Sequence, residues 1–479
     1  MLPEVDLRQQ TRALKALGER SQWQEAWTYL QEMRRWVRPD VVLFNCCIRA
    51  SQRGRRWRQA AAQLRAIAVQ SLEPSAASFN CALSAYERAE KWREALAQVK
   101  TMLSTTAPWD VISYNSAISA CEKSQCWEEG LALLWDLVEG GEPDVVSCNA
   151  AISACEKCGR WEEGIALLLA MPDLRVPADV VSYNAAISAC EKRGRWVEAL
   201  ALFEALTAFL RPDVVSCSAL LSALEKGRQW LLALNFLLAM TVFAVTPNII
   251  AFNAVISACE KQEQWQQALY LLALVERITL IPQDITYNAA ISACEKGGQW
   301  TRALTLLEQM GQRGLRRGLV ACNAAISACE KCGNWEPALT ILASMLKEDM
   351  EPDVVTYSAA MSACENEGLW QETLMLLERL HRSRQANLIS YSAAISACEK
   401  GLQWQAALAL FGALPTLRLD PDLVAFNAAV LACEAAGRWR LTLELLSQLQ
   451  LRALAPAVMT FSGLLGVGEN RRFCGKGEW

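Results

Sequence analysis

Polar side chains that could recognise or react recur along this chain at a fixed spacing instead of gathering in one place. In the stretch Val180 to Trp196, Val-Val-Ser-Tyr-Asn-Ala-Ala-Ile-Ser-Ala-Cys-Glu-Lys-Arg-Gly-Arg-Trp, a helix of about 100° per residue puts Val181, Asn184, Ser188 and Lys192 on one stripe. Tyr183, Ala186, Ile187 and Cys190 fall on the opposite side. The unit returns, with substitutions, every 34 or 35 residues. Its amide or hydroxyl position holds Asn45, Asn80, Asn115, Asn149, Asn184, Ser218, Asn253, Asn288, Asn323, Ser358, Ser392 and Asn427. Asn carries both a donor and an acceptor, and Ser a rotatable hydroxyl. No grouping of nucleophile, base and orienting acid accompanies them. The lone His381 stands in a Leu-His-Arg-Ser-Arg tail, where solvation is expected. The chemistry expected is recognition without catalysis.

Three further positions share the unit. The last residue is Ser75, Asp110, Asp144, Asp179, Asp213, Asn248, Gln283, Gly318, Asp353, Asn387, Asp422 or Ala457. Asp or Asn after Pro and before a helix is a good N-cap, so capping and ligand contact are both open here. The second residue is Val42, Ile112, Val146, Val181, Val215, Ile250, Ile285, Val320, Val355, Ile389 or Val424, with Ala77 as the exception. Such stiff branched side chains are hard to explain as solvent-facing residues on a polar stripe, although packing against the neighbouring repeat would also account for them. One helical turn beyond the presented Ser stand Arg53, Arg88, Lys123, Lys157, Lys192, Lys226, Lys261, Lys296, Lys331 and Lys400. They make either a basic ladder or a set of cations that complement helix C-termini. Asn366 and Ala435 break the series, and a Glu before most of the cations weakens its net field.

Each unit reads as two helices. Gly159, Gly194, Gly298, Gly333, Gly368 and Gly437 sit where a left-handed residue would end the first. A Trp then opens the second, at Trp23, Trp57, Trp92, Trp127, Trp161, Trp196, Trp230, Trp265, Trp300, Trp335, Trp370, Trp404 and Trp439, a regularity that suits inter-helix packing anchors. Trp196, Ala199, Leu200, Phe203 and Leu206 give that helix one buried stripe. The fold class expected is all-α, a right-handed solenoid of tandem helix-turn-helix repeats. Its parts are a short segment 1–6, a degenerate repeat 7–40, twelve repeats over 41–457 and a partial repeat with tail at 458–479. The twelve start at Val41, Ala76, Val111, Val145, Val180, Val214, Ile249, Asp284, Leu319, Val354, Leu388 and Leu423.

Composition fits one solenoid: 53% of residues are hydrophobic, ample for a continuous core, and 15 Pro with 24 Gly are too few for disorder in 479 residues. A formal charge of −4 argues against a uniformly basic protein but leaves room for a basic strip. Of 19 cysteines, nine (Cys121, Cys155, Cys190, Cys259, Cys294, Cys329, Cys364, Cys398, Cys433) occupy one apolar repeat position, which suits reduced core thiols and a reducing compartment. Cys155-Glu-Lys-Cys158 and Cys329-Glu-Lys-Cys332 have metal-like spacing, but no second ligand pair stands near either. No metal or cofactor is expected. The longest apolar run, Leu231 to Val245, is about 15 residues and short for a bilayer.

The 35-residue unit with Val-Val-Ser-Tyr-Asn at its head, Glu-Lys-x-Gly-x-Trp in its middle and Pro-Asp at its tail (Pro143-Asp144, Pro212-Asp213, Pro352-Asp353, Pro421-Asp422) resembles the pentatricopeptide repeat family over about residues 7 to 465. The Trp-Leu-Gly-Tyr pattern of tetratricopeptide repeats is absent. The resemblance implies single-stranded RNA as partner, read one base per repeat by the fifth and last residues, with second residues of adjacent repeats sandwiching the base. Carried over, Asn with Asp implies uracil at Asn80/Asp110, Asn115/Asp144, Asn149/Asp179, Asn184/Asp213 and Asn323/Asp353. Ser218/Asn248 and Ser358/Asn387 imply adenine, Ser392/Asp422 guanine and Asn45/Ser75 cytosine. Asn253/Gln283, Asn288/Gly318 and Asn427/Ala457 depart from the usual pairs and lean to pyrimidine. The implied target is C-U-U-U-U-A-Y-Y-U-A-G-Y, with the cation series on its phosphates. No deaminase or nuclease signature follows residue 457, so the resemblance implies action by occupancy or through a recruited processing protein. It also implies a chloroplast or mitochondrial site of action, although Met1-Leu-Pro-Glu-Val-Asp-Leu-Arg makes no clear transit peptide. A protein-binding scaffold is the alternative, and it would be expected to vary the stripe more freely.

Overall fold

The structure is a computed structural model that describes residues 15–16, 23–33, 40–70, 72–104, 110–278, 280–417 and 419–451. The segments 1–6 and 458–479, Ala457, and most of the first helix expected in 7–40 lie outside the described residues. Among those described, the chain is helical without a strand. Twelve first helices begin at Val41, Ala76, Val111, Val145, Val180, Val214, Ile249, Asp284, Leu319, Val354, Leu388 and Leu423, and thirteen second helices each begin on a Trp. The chain divides into two compact units, Met1–Pro247 and Asn248–Trp479, and each is an α-solenoid in which first helices stack on first helices.

The repeat Val180–Lys192 followed by Trp196–Phe209 shows why these residues form these elements. Asp179, in extended backbone, caps the first helix by accepting from the Ser182 N–H. Ala186, Ile187, Ala189 and Cys190 are buried along its inner side. Small residues are wanted there because helices approach closely: a Cβ added at Gly164 of the second helix Trp161–Ala170 would lie 3.7 Å from the Cys155 Cβ and 4.0 Å from the Ala189 Cβ of the next repeat. The nine repeat-position cysteines are all buried and free. Burial pushes the Cys121 and Cys155 thiols up to about 12, and Cys190, Cys259 and Cys294 to about 11, so they stay neutral.

The second helices differ from expectation in phase. Ala199, Leu202, Phe203 and Leu206 are buried, while Leu200 is only partly covered. The stripe is counted from Ala199, because Trp196 stands at the seam between repeats instead of in the core. Its ring lies against Gly227, at the end of the next first helix, where an added Cβ would come within 2.3 Å. Trp265 does the same to Gly297 in the second unit. Arginines cover the exposed side of several of these rings, with the Arg160 guanidinium 4.4 Å from the Trp127 centroid and that of Arg195 4.6 Å from Trp161. The apolar run Leu231–Val245 is not one helix: Trp230–Ala239 gives way to a 3-10 turn at Met240–Phe243. Among the described residues no helix is long and apolar enough to cross a membrane.

The six expected glycines adopt left-handed backbone, with φ between 65° and 73°. In the other six repeats the same turn is made by Arg55, Glu90, Gln125, Arg228, Glu263 and Leu402, with φ between 54° and 59°. A side chain there is strained by about 1 kcal/mol. Leu402, largely exposed, therefore gives a clean test. Leu402→Gly is expected to stabilise the chain by about 0.5–1 kcal/mol in urea denaturation, the relief of strain exceeding the entropic cost of glycine.

Candidate nucleic-acid interface

The helix starts bring the second and fifth residues of each repeat to one face. The eleven valines and isoleucines at the second position are all exposed, from 51% at Val42 to 65% at Ile389. More than half of each of these residues' surface is open, so packing against the neighbouring repeat covers only the smaller part. The fifth-position asparagines beside them are half-buried.

The last residue of each repeat meets the fifth. Asn80 Nδ2 donates to both carboxylate oxygens of Asp110 at 3.1 and 3.0 Å, and Asn115 to both of Asp144 at 3.1 Å. Asn149 reaches Asp179 at 3.1 Å, Asn184 reaches Asp213 at 3.1 Å and Asn323 reaches Asp353 at 3.2 Å. Asn45 donates to Ser75 Oγ at 3.3 Å. The same carboxylates cap the following helix, as where the Ser216 N–H donates to Asp213 at 2.7 Å. Capping and pairing are thus done by one group. Burial raises the carboxyls of Asp179, Asp213 and Asp353, but hydrogen bonds from the capped backbone, the Asn amide and a hydroxyl outweigh it and hold all three below the ordinary carboxylate range.

A third participant was not foreseen. The third residue of the following repeat carries a buried hydroxyl close to the Asn Oδ1: Ser113 to Asn80, Ser182 to Asn149 and Ser216 to Asn184 at 2.5 Å, Thr286 to Asn253 at 2.7 Å and Thr356 to Asn323 at 2.6 Å. Its one proton is shared with the capping Asp, which lies 2.7–2.9 Å from the hydroxyl of Ser113, Ser182, Ser216 and Thr356, and the amide oxygen is the nearer acceptor in each. The signal for it was the recurrence of Ser or Thr within the first helical turn, where a polar residue with a 0–2% exposed side chain needs a partner. At Asn115 the Ser147 hydroxyl stays on Asp144, and Asn115 Oδ1 is buried without a partner.

The other readers differ. Ser218, Ser358 and Ser392 are not freely rotating donors, because each hydroxyl donates to its own helix, at Val214 O (2.7 Å), Val354 O (2.7 Å) and Leu388 O (2.9 Å). What they offer the face is acceptor lone pairs. Ser392 also lies 3.3 Å from Asp422 and is buried. Gln283 is exposed, and Gly318 brings no side chain to Asn288. Asn248 and Asn387 cap Ile249–Lys261 and Leu388–Lys400. Asn427 Oδ1 is buried and unpartnered, and Ala457 lies outside the described residues.

The cation series is paired from repeat to repeat. Lys123 bonds Glu87 (2.7 Å), Lys157 Glu122 (2.9 Å), Lys192 Glu156 (3.2 Å) and Lys226 Glu191 (3.0 Å). In the second unit Lys296 bonds Glu260 (2.9 Å), Lys331 Glu295 (3.0 Å) and Lys400 Glu365 (3.3 Å). Neither a free basic ladder nor simple dipole complements, these are half-exposed ion pairs across the seams, individually worth roughly 0.2–1 kcal/mol. Arg53 and Arg88 are exposed at the first end of the series. His381 is exposed but tied to the Tyr391 hydroxyl at 3.2 Å. Cys158 and Cys332 each turn to a carbonyl of the preceding repeat, Gln125 O at 3.1 Å and Gly298 O at 3.3 Å, and no group of three metal-ligating side chains exists among the described residues.

Models of the PPR repeat match residues 112–142, 181–207, 285–315 and 355–384, the PPR repeat family model matches 143–190, and the pentatricopeptide repeat domain matches 205–262, 245–296 and 305–367. Together they run unbroken over 112–384. The chain belongs to the pentatricopeptide repeat family. Among solved structures its fold is similar to that of the pentatricopeptide repeat protein PPR10 from maize, with 22% identity and a TM-score of 0.61 over 96% of this chain and 66% of that one. PPR10 in complex with an 18-nt psaJ RNA element matches at 19% identity and a TM-score of 0.45, over 95% of this chain and 81% of that one. The PPR domain of Arabidopsis thaliana protein-only RNase P 1, in complex with tRNA, matches at 13% and 0.34, over 37% of this chain and 95% of that one. The chain thus spans just under two thirds of the length of the maize structure it matches. No curated protein matches it.

Asp179 tests the double use of the carboxylates. Its folded-state pKa lies below the usual 3.8, so its contribution is fully present above that value and is lost as pH falls through the depressed one. Asp179→Ala is expected to cost about 1 kcal/mol at pH 7, and urea denaturation at about pH 2–3 should show the gap to the unaltered protein narrowing.

Proposed function

We propose that this chain binds single-stranded RNA, one base per repeat. Base choice is made by the fifth and last residues, and the second residues of successive repeats enclose each base. The observation that carries this reading is the direct bond between Asn and Asp of the five Asn–Asp repeats, set beside an exposed Val or Ile where a base can lie. An apolar side chain more than half exposed at the same place in repeat after repeat costs solvation and gains nothing until something flat covers it. The described repeats present a binding face and no grouping of catalytic side chains, so on this reading they act by occupancy: they shield or remodel an organellar transcript near C-U-U-U-U-A-Y-Y-U-A-G-Y, or recruit a processing protein to it.

Phosphates would compete with the glutamates for the seam lysines, an exchange made feasible by the small worth of exposed ion pairs. Replacing Lys157, Lys192 and Lys226 by Gln is expected to weaken binding of all RNAs and to flatten the log–log salt slope by about 2, at roughly 0.7 per lost phosphate contact on a single strand. Replacing Glu122, Glu156 and Glu191 by Gln should strengthen binding. Unchanged slopes in both variants would restrict these residues to a seam role.

Asn184→Ser with Asp213 kept tests base choice. The exposed substitution should change stability by no more than about 0.5 kcal/mol. Filter binding should show affinity for the U-run target falling by about 1–3 kcal/mol and recovering when only the fourth U of the run becomes G. Equal loss for both RNAs, or none for either, would overturn the reading and favour a protein-binding scaffold.

A further inference from the structure

The buried hydroxyls of the third position are too deep to touch a ligand: Ser182, Ser216, Thr286 and Thr356 are 0% exposed and Ser113 is 2% exposed. Yet each holds the oxygen of an amide that faces outward. An Asn side chain has one oxygen and two N–H bonds. In the repeats of Asn80, Asn149, Asn184 and Asn323 the hydroxyl lies 2.5–2.6 Å from the amide oxygen, nearer than the 2.7–2.9 Å to the Asp carboxylate that also draws its proton, and that Asp takes one N–H of the amide. One N–H is left to offer.

We propose that this hydroxyl is a positioning residue for base choice, which fixes the preceding repeat's Asn as a donor-only reader. The inference rests on the reading that these asparagines face bases. A lone N–H that meets position 4 of a pyrimidine pairs with the uracil carbonyl and rejects the cytosine amino group, so the locked amide separates the two bases there. Without the hydroxyl the amide oxygen is left buried and unpaired, as it is at Asn115 and Asn288, and nothing opposes a turn of the amide that would let it accept from an amino group except the bond to Asp, where there is one.

The repeat of Asn288 is the contrast within the same chain. Its last residue is Gly318, the third residue of the next repeat is Ala321, and Asn288 Oδ1 is buried with no partner. Both missing groups can be supplied. A Cβ added at Gly318 meets nothing within 4 Å, its φ of −77° is ordinary for any residue, and Thr already occupies the Ala321 position at Thr286 and Thr356.

The experiment measures binding of the full chain to the 12-nucleotide RNA C-U-U-U-U-A-C-C-U-A-G-C and to derivatives with C at the fourth base, opposite Asn149, or U at the eighth, opposite Asn288. Ser182→Ala is expected to lower the U-over-C preference at the fourth base about tenfold, the size of one specific contact, while Ser182→Thr retains it. Gly318→Asp with Ala321→Thr should create a preference of similar size at the eighth base, a gain that does not depend on Ser182→Ala remaining folded. If the unaltered protein prefers U at the fourth base and Ser182→Ala keeps that ratio, or merely weakens all RNAs alike, the positioning role is overturned while RNA reading stands. A double variant that gains no preference at the eighth base overturns the positioning role as well. If the unaltered protein shows no preference at any base, the proposed function falls and this inference with it.

Discussion

One carboxylate per repeat, shared between two repeats, is the constraint on which the Asn–Asp stretches depend. Asp179 starts a helix by accepting the Ser182 N–H and holds the Asn149 amide of the preceding repeat. Helix start and presented amide therefore cannot drift apart. This also explains how repeats of two lengths coexist. The Asn-to-Asp bond spans 29 residues at Asn115 and Asn184 and 30 at Asn80, Asn149 and Asn323, yet its length stays between 3.0 and 3.2 Å. The extra residue is absorbed between the second helix and the cap, where backbone geometry is free to vary.

The charge pattern follows a different logic from the pairing of amides. A chain with a net charge of −4 could hold a polyanion by concentrating cations on one face, but here almost every seam cation faces a glutamate. The face is nearly neutral locally, and each Lys is poised between an intramolecular partner and any anion that approaches. On the function proposed above, such an arrangement would suppress non-specific attraction while side-chain contacts keep their full weight.

Much of this was legible in the sequence, because the fold repeats a local pattern. The starts of the first helices could be read from Asp and Asn after Pro, the starts of the second from Trp, and the ends from Gly194 and its equivalents. Exposure of Val181 and Ile285 followed from their place on a polar stripe. What was not legible depended on neighbours in the stack. The burial of Leu202 in place of Leu200 is set by where the next repeat lies against the Trp196 helix. The pairing of Lys157 with Glu122 joins residues 35 apart, a separation that helix periodicity cannot see. The Ser182 hydroxyl carried no expected role, and its contact with Asn149 exists only because successive first helices stack side by side.

The breaks in the lysine series change the charge of two seams. Asn366 and Ala435 leave Glu330 and Glu399 without a cation from the next repeat, and burial raises both carboxyls. These two seams lack the Lys–Glu pair found at Glu260–Lys296, Glu295–Lys331 and Glu365–Lys400, and at the first of them the Asn366 amide instead donates to the Glu330 carbonyl at 3.3 Å. Exposed ion pairs of this kind are individually small, so the two substitutions change the seam's charge pattern more than its packing, which the buried first-helix contacts carry. The second unit therefore carries two seams, separated by two repeats, at which a glutamate faces the ligand-side surface without the lysine that neutralises it elsewhere in the series, so its local charge is more negative there than in the first unit.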